Sequence, residues 1–174
     1  MSPAGNAHYG RVNRYLHWGM ALLLAWQFTT TSVRVLLSDS ALDELLWPTH
    51  RSTGFLLMVL VVVRVLWALA SRASQPPAVS RAARLGHLAL YGLMLVVPTL
   101  ALLRQYGSGR AFEPFGIPLM SGFEGERIEW MVAAGSLLHG ELGWLLLALI
   151  VGHVAMVFWH RRHGQDVLGR MLVR

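Results

Sequence analysis

The 174-residue sequence predicts an all-α integral membrane protein, a four-helix bundle with both termini on the cytoplasmic side. Hydrophobic residues make up 55% of the chain and charged residues only 14%, well below the roughly 25% charged content of an ordinary soluble domain. The apolar residues gather into four runs, and the arginines gather on alternate connections between them.

The runs cover roughly residues 16–37, 53–70, 86–106 and 137–159. Each is long enough, at about 1.5 Å per residue, for a helix to cross a hydrocarbon core of about 30 Å. Four such spans use most of the chain, so 1–174 is expected to form a single transmembrane domain. Arg11 and Arg14 precede the first run as they would in a signal peptide. That run is longer than a typical signal h-region and lacks a following small-residue cleavage site, so it is expected to be a retained span. Pro98 is expected to kink the third span, a distortion that membrane helices tolerate when neighbours re-satisfy the freed carbonyl.

Charge sets the orientation. The N-terminus carries Arg11 and Arg14, the second connection Arg72, Arg81 and Arg84, and the tail Arg161, Arg162, Arg170 and Arg174, with Asp166 the sole acid among them. The first connection carries Asp39, Asp43 and Glu44, and the third carries Glu113, Glu124, Glu126 and Glu129. By the positive-inside rule, both termini and the middle connection belong to the cytoplasm, which in a bacterium puts the chain in the inner membrane as a multi-pass protein. Every basic residue is arginine, but the arginines mark topology rather than one basic face, so no nucleic-acid partner is expected. The third connection starts at Gly107 and is too long for a simple link. Its Phe112, Phe115 and Phe123 point to a packed cap, and residues 128–136 are expected to extend the fourth helix beyond the membrane.

With no cysteine, disulfides, thiol redox chemistry, iron–sulfur ligation and covalent haem attachment are all excluded. Histidine is the informative residue instead. Ionisable groups inside a bilayer are costly and by default mark function. His50 and His139 open the second and fourth spans near the outer face, whereas His17, His87 and His153 lie towards the inner face.

His139 and His153 stand 14 residues apart on one helix, about 21 Å along its axis. Two heptads place both in the same seam of a left-handed bundle. One helix then offers an imidazole to the core at each of two levels, the arrangement by which facing helices hold a cofactor. Haem iron accepts two axial imidazoles, a set that favours electron transfer. A chance scatter of hydrogen-bonded core histidines explains two matched depths less well, and zinc is disfavoured because no span carries histidines three or four apart. The outer level offers only His50 and His139; at the inner level His153 pairs with either His17 or His87. Arg64, 14 residues past His50, reaches the depth of His153 and suits an inner haem propionate, with snorkelling to headgroups as the alternative. Arg51 stands in the same relation to the outer level. Trp18, Trp47, Trp144 and Trp159 read as interface belt or packing.

The chain resembles the bacterial cytochrome b561 family over nearly its whole length. The resemblance rests on Tyr15-Leu16-His17-Trp18, on His50 followed by Gly54 and Arg64, and on Leu85-Gly86-His87-Leu88 with Tyr91 and Pro98. It extends to Phe115-Gly116 and to His139 with Gly143 and His153. It implies two haem b groups (iron protoporphyrin IX), one held by His17 and His153 and one by His50 and His139, with ubiquinone as electron acceptor near the inner face. His87 and His160 match positions near that quinone region. The resemblance also implies a periplasmic electron donor, with superoxide a candidate because a relative in the family is a superoxide:ubiquinone oxidoreductase. The segment between Arg127 and His139 departs from that relative by a few extra residues. A cationic funnel for superoxide would draw on Arg51, Arg110 and Arg127, in a loop that also carries four glutamates.

The expected function is therefore electron transfer across the inner membrane between a periplasmic one-electron donor and the quinone pool, an oxidoreductase activity. The alternatives are a haem-bearing anchor subunit of a larger dehydrogenase or hydrogenase, and a haem-free structural or transport bundle.

Overall fold

The computed structural model of the protein describes residues 8–172. It contains four long helices: α1 (Arg11–Leu36), α2 (Ala41–Ala70), α3 (Arg81–Gly107) and α4 (Glu129–Arg162). Short 3-10 turns follow at Arg72–Ser74 and Pro114–Gly116, and the described residues include no β-strand.

All four expected helices are present, and each begins before its apolar run. For α2 the difference is twelve residues. Ser40 caps it by accepting from the Asp43 backbone N–H at 3.2 Å, and Asp43 and Glu44 fill its first turn, where acidic side chains favour the positive end of the helix dipole. Ser80 caps α3 in the same way, accepting from the Ala83 N–H at 3.0 Å. α4 starts at Glu129 as an extension of the fourth span. Hydrophobicity marks where a helix meets lipid; caps mark where it starts.

Three helices, α2, α3 and α4, are both long and apolar enough to cross a membrane. α1, at 26 residues, has the length but is diluted by Asn13, His17, Gln27 and the hydroxyl run Thr29 to Ser32. Its polar groups are used internally: Thr29, Thr30 and Thr31 each donate to a carbonyl one turn back. The outer surface is apolar, with Leu22, Leu66, Leu137 and Val151 all exposed, as lipid-facing residues are.

The helices pack as two hairpins. α1 lies closely on α2 and α3 closely on α4, whereas α2 touches α3 less and α4 barely contacts α1 or α2. A salt bridge closes the first hairpin: Arg34 donates to Asp43 at 2.5 Å, and Asp43 also accepts from the Asp39 N–H. Gly135 closes the second. A side chain there would meet the Leu100 carbonyl and the backbone and Cβ of Arg104, so glycine lets α3 and α4 approach.

The third connection forms a packed cap. Phe112 bridges to Met120, is buried, and sets its ring edge-on to Phe55 at 5.8 Å. Phe123 leans on Tyr106, while Phe115 is exposed in a left-handed turn (φ 56°). Both described chain ends lie at the opposite end of the bundle, where the Tyr9 N–H donates to the Arg170 carbonyl at 3.1 Å.

Candidate functional site

The histidines meet across the boundary where the hairpins touch least. His50 of α2 and His139 of α4 have ring centres 6.3 Å apart at an interplanar angle of 82°. His17 of α1 and His153 of α4 have ring centres 6.4 Å apart at 68°. The levels are separated along α4 by fourteen residues, about 21 Å. Between them sits the apolar core of Met20, Leu57, Val61, Met94 and Leu146, with Leu146 midway between the two α4 histidines.

Hydrogen bonds fix the outer rings. Thr30, fully buried, spends its hydroxyl proton on the Gln27 carbonyl at 2.8 Å and lies 2.9 Å from His50 Nδ1. A hydroxyl has one proton to give, so His50 Nδ1 must carry its own and donate to Thr30. His139 Nδ1 lies 2.9 Å from the Val97 carbonyl, which only accepts, so that nitrogen is protonated as well. Neutral imidazole carries one ring proton; both Nε2 atoms therefore keep free lone pairs, as metal ligands do. Val97 precedes Pro98, in the stretch of α3 where the proline interrupts the backbone ladder.

The geometry fits an axially ligated metal. Two metal–imidazole bonds of about 2 Å, with roughly 1.1 Å from each ring nitrogen to its ring centre, give a centre-to-centre distance of about 6.3 Å. Both pairs match. His87 and His153 are also neighbours, but their ring centres stand 5.4 Å apart, about an ångström too close for the same bridge. Among the described residues no three histidine or acidic side chains converge on one point, which argues against a zinc-type cage and suits a macrocycle that supplies its own equatorial ligands.

The inner level has a cation built in. Arg64 Nη1 donates to His17 Nδ1 at 3.1 Å, its guanidinium lies over the Tyr91 ring at 5.6 Å, and its Nε is buried with no partner. Ligation through His17 Nε2 requires a proton on Nδ1, where Arg64 now donates. Were His17 to ligate haem through Nε2, that contact would be released and the under-satisfied guanidinium of Arg64 would be free to hold a carboxylate.

The remaining sequence-selected residues are dispersed. Arg51 is exposed and lies over the Phe112 ring at 5.8 Å. His87 adjoins the inner pair. His160 is half-buried at the end of α4, with Nδ1 2.7 Å from Gln165 Oε1; it does not join the cluster.

Sequence reasoning missed Thr30, though a run of four hydroxyl residues inside an apolar span was a readable signal. Trp47, read as belt or packing, does pack: it stacks on His50 (4.9 Å, 23°), with Arg34 5.4 Å above its ring.

A membrane bundle that pairs imidazoles across its core belongs to the class of b-type membrane cytochromes, electron carriers whose chemistry resides in haem. The chain belongs to the prokaryotic cytochrome b561 family, whose match spans residues 8–173. It is also similar to cytochrome b561 homolog 2 of Escherichia coli (strain K12), at 32% identity over 94% of this chain and 90% of that protein. The family binds haem b and transfers electrons in membranes.

Proposed function

We propose that the protein is a di-haem b-type cytochrome. It carries electrons across the bacterial inner membrane from a periplasmic one-electron donor, with superoxide the candidate, to ubiquinone. His50 and His139 hold the outer haem and His17 and His153 the inner one. The observation that carries this reading is the pair of imidazole couples at 6.3 and 6.4 Å, stacked at two levels of one bundle.

When bound, haem supplies reversible one-electron chemistry; the chain supplies position, ligation and access. Thr30 and the Val97 carbonyl hold the outer ligands in the tautomer that leaves Nε2 free. Arg64 turns from His17 to an inner carboxylate. The Met20, Leu57, Val61, Met94 and Leu146 layer excludes water between the levels. Trp47, stacked on His50 and partly exposed, is the outer contact for the donor. His87, next to His153, is placed to give a proton to reduced quinone at the inner face.

The test is pyridine-haemochrome quantitation and redox titration of detergent-purified protein. Two haems per chain, both reduced by a one-electron donor and reoxidised by ubiquinone analogues, is the expected result. A colourless preparation would sink the proposal. Failure of superoxide to reduce the haems while another donor succeeds would remove only the donor assignment.

A further inference from the structure

The end of the bundle that carries both termini is closed by a clasp. Four consecutive carbonyls of the tail, Gly169 to Leu172, are each held by the start of the chain. His8 Nδ1 lies 2.9 Å from the Gly169 oxygen, and the Tyr9 N–H donates to that of Arg170 at 3.1 Å. Trp18 Nε1 donates to Met171 at 2.9 Å, and Arg14 Nη1 to Leu172 at 2.7 Å. Such a run fixes the tail backbone and with it the point from which the Arg170 side chain departs. Gly169 is held on its other side by Asp166, which accepts from its N–H at 2.8 Å.

The arginines at this end have no acidic partner among the described residues. Among the described residues four buried side-chain polar atoms have no hydrogen-bond partner: Arg14 Nε, Arg64 Nε, Arg170 Nε, and Asp43 Oδ1. Asp43 belongs to the far end of the bundle; the other three are donors at the clasp and the inner histidine level. Asp166, the tail's acid, accepts from the Gly169 N–H and pairs with no arginine, and the one ion pair among the described residues joins Arg34 to Asp43. Tyr9, whose N–H is held by the Arg170 carbonyl, feels the charge of both Arg170 and Arg64; burial raises its phenol above the ordinary value of 10.0, so it too remains a donor. Buried donors without acceptors are rare in folded proteins and are met by water or by an anion from outside the chain, the anion being the stronger partner for a guanidinium.

We propose that Arg170, positioned by the clasp, joins Arg64 in a guanidinium cradle for the carboxylates of the inner haem, so that the C-terminal tail is part of the cofactor site. This rests on the di-haem reading. Arginine's planar fork matches a carboxylate in two parallel hydrogen bonds. Because a lipid phosphate would satisfy the same donors, the experiment separates the two.

Holo-protein carrying Arg170→Gln, Arg170→Lys or the exposed control Arg162→Gln is compared with wild type. The measurements are a redox titration resolving both haems, the rate of haem release to apomyoglobin, and copurified lipid phosphate. Arg170→Gln is expected to lower the inner haem's midpoint potential, because a positive charge that favours the added electron is gone. It should speed inner-haem release by about tenfold, as for loss of one charge-assisted hydrogen bond, and leave the outer haem unchanged. Arg170→Lys should restore most of the potential, and Arg162→Gln should match wild type. An unchanged inner haem in Arg170→Gln overturns the proposal, and a fall in bound lipid phosphate alone overturns it in favour of a headgroup site. Wild-type protein that lacks two haems indicts the functional reading instead, before any variant is compared.

Discussion

Replacing Thr30 by valine keeps the shape of a fully buried side chain and removes one oxygen. Among the described residues that oxygen is the one hydrogen-bond acceptor for His50 Nδ1–H, at 2.9 Å. With valine there, the ring N–H stays buried without a partner, at a cost of about 1–3 kcal/mol. Since 1.4 kcal/mol is a factor of ten, outer-haem affinity should fall roughly 10–100-fold, the range found when groups that orient a metal-bound histidine are lost. The lost bond also makes the imidazole a weaker donor to iron, which raises the outer haem's midpoint potential. Transfer of haem to apomyoglobin, followed with a redox titration that resolves the two centres, measures both effects. Thr30→Ser, which keeps the hydroxyl, should restore them. The reasoning fails if Thr30→Val leaves outer-haem release and potential at wild-type values, or if the inner haem moves equally.

Other perturbations test separate parts of the site. His139→Ala should remove the outer haem and spare the inner one, halving the haem-to-protein ratio; retention of both would show that the ligand assignment is wrong. His87→Ala should keep both haems and slow quinone reduction, and loss of a haem would mean that His87, not His17, faces His153. Gly135→Val should destabilise the α3–α4 hairpin by about 1–3 kcal/mol, the usual cost of overpacking, read as a lower unfolding midpoint in detergent. An unchanged midpoint would show that the two helices separate there without penalty.

The register of the chain was legible because hydrophobic runs and histidine spacing are one-dimensional quantities. Residues 139 and 153 share a helix face whatever packs against them, and His50 is the single outer candidate to meet His139. Helix starts were partly legible: Ser40 with Asp43 and Glu44 is a cap signal inside what looked like a loop. Thr30 was hidden because its relation to His50 spans two helices, and a hydroxyl in an apolar run does not announce its partner.

The sequence alone determined that the chain forms long apolar helices, that its arginines gather on alternate connections, and that imidazoles recur at two depths. These follow from rise per residue and from the cost of burying charge in lipid. Only the tertiary structure decided which rings meet. It placed both His17 and His87 beside His153, at separations that suit a metal bridge in one case and not the other, because helix rotation and crossing set distances that spacing along a chain does not contain. It also brought residues 8–18 onto 169–172, joining the two ends of the chain through backbone carbonyls, which every residue has and no sequence pattern can mark.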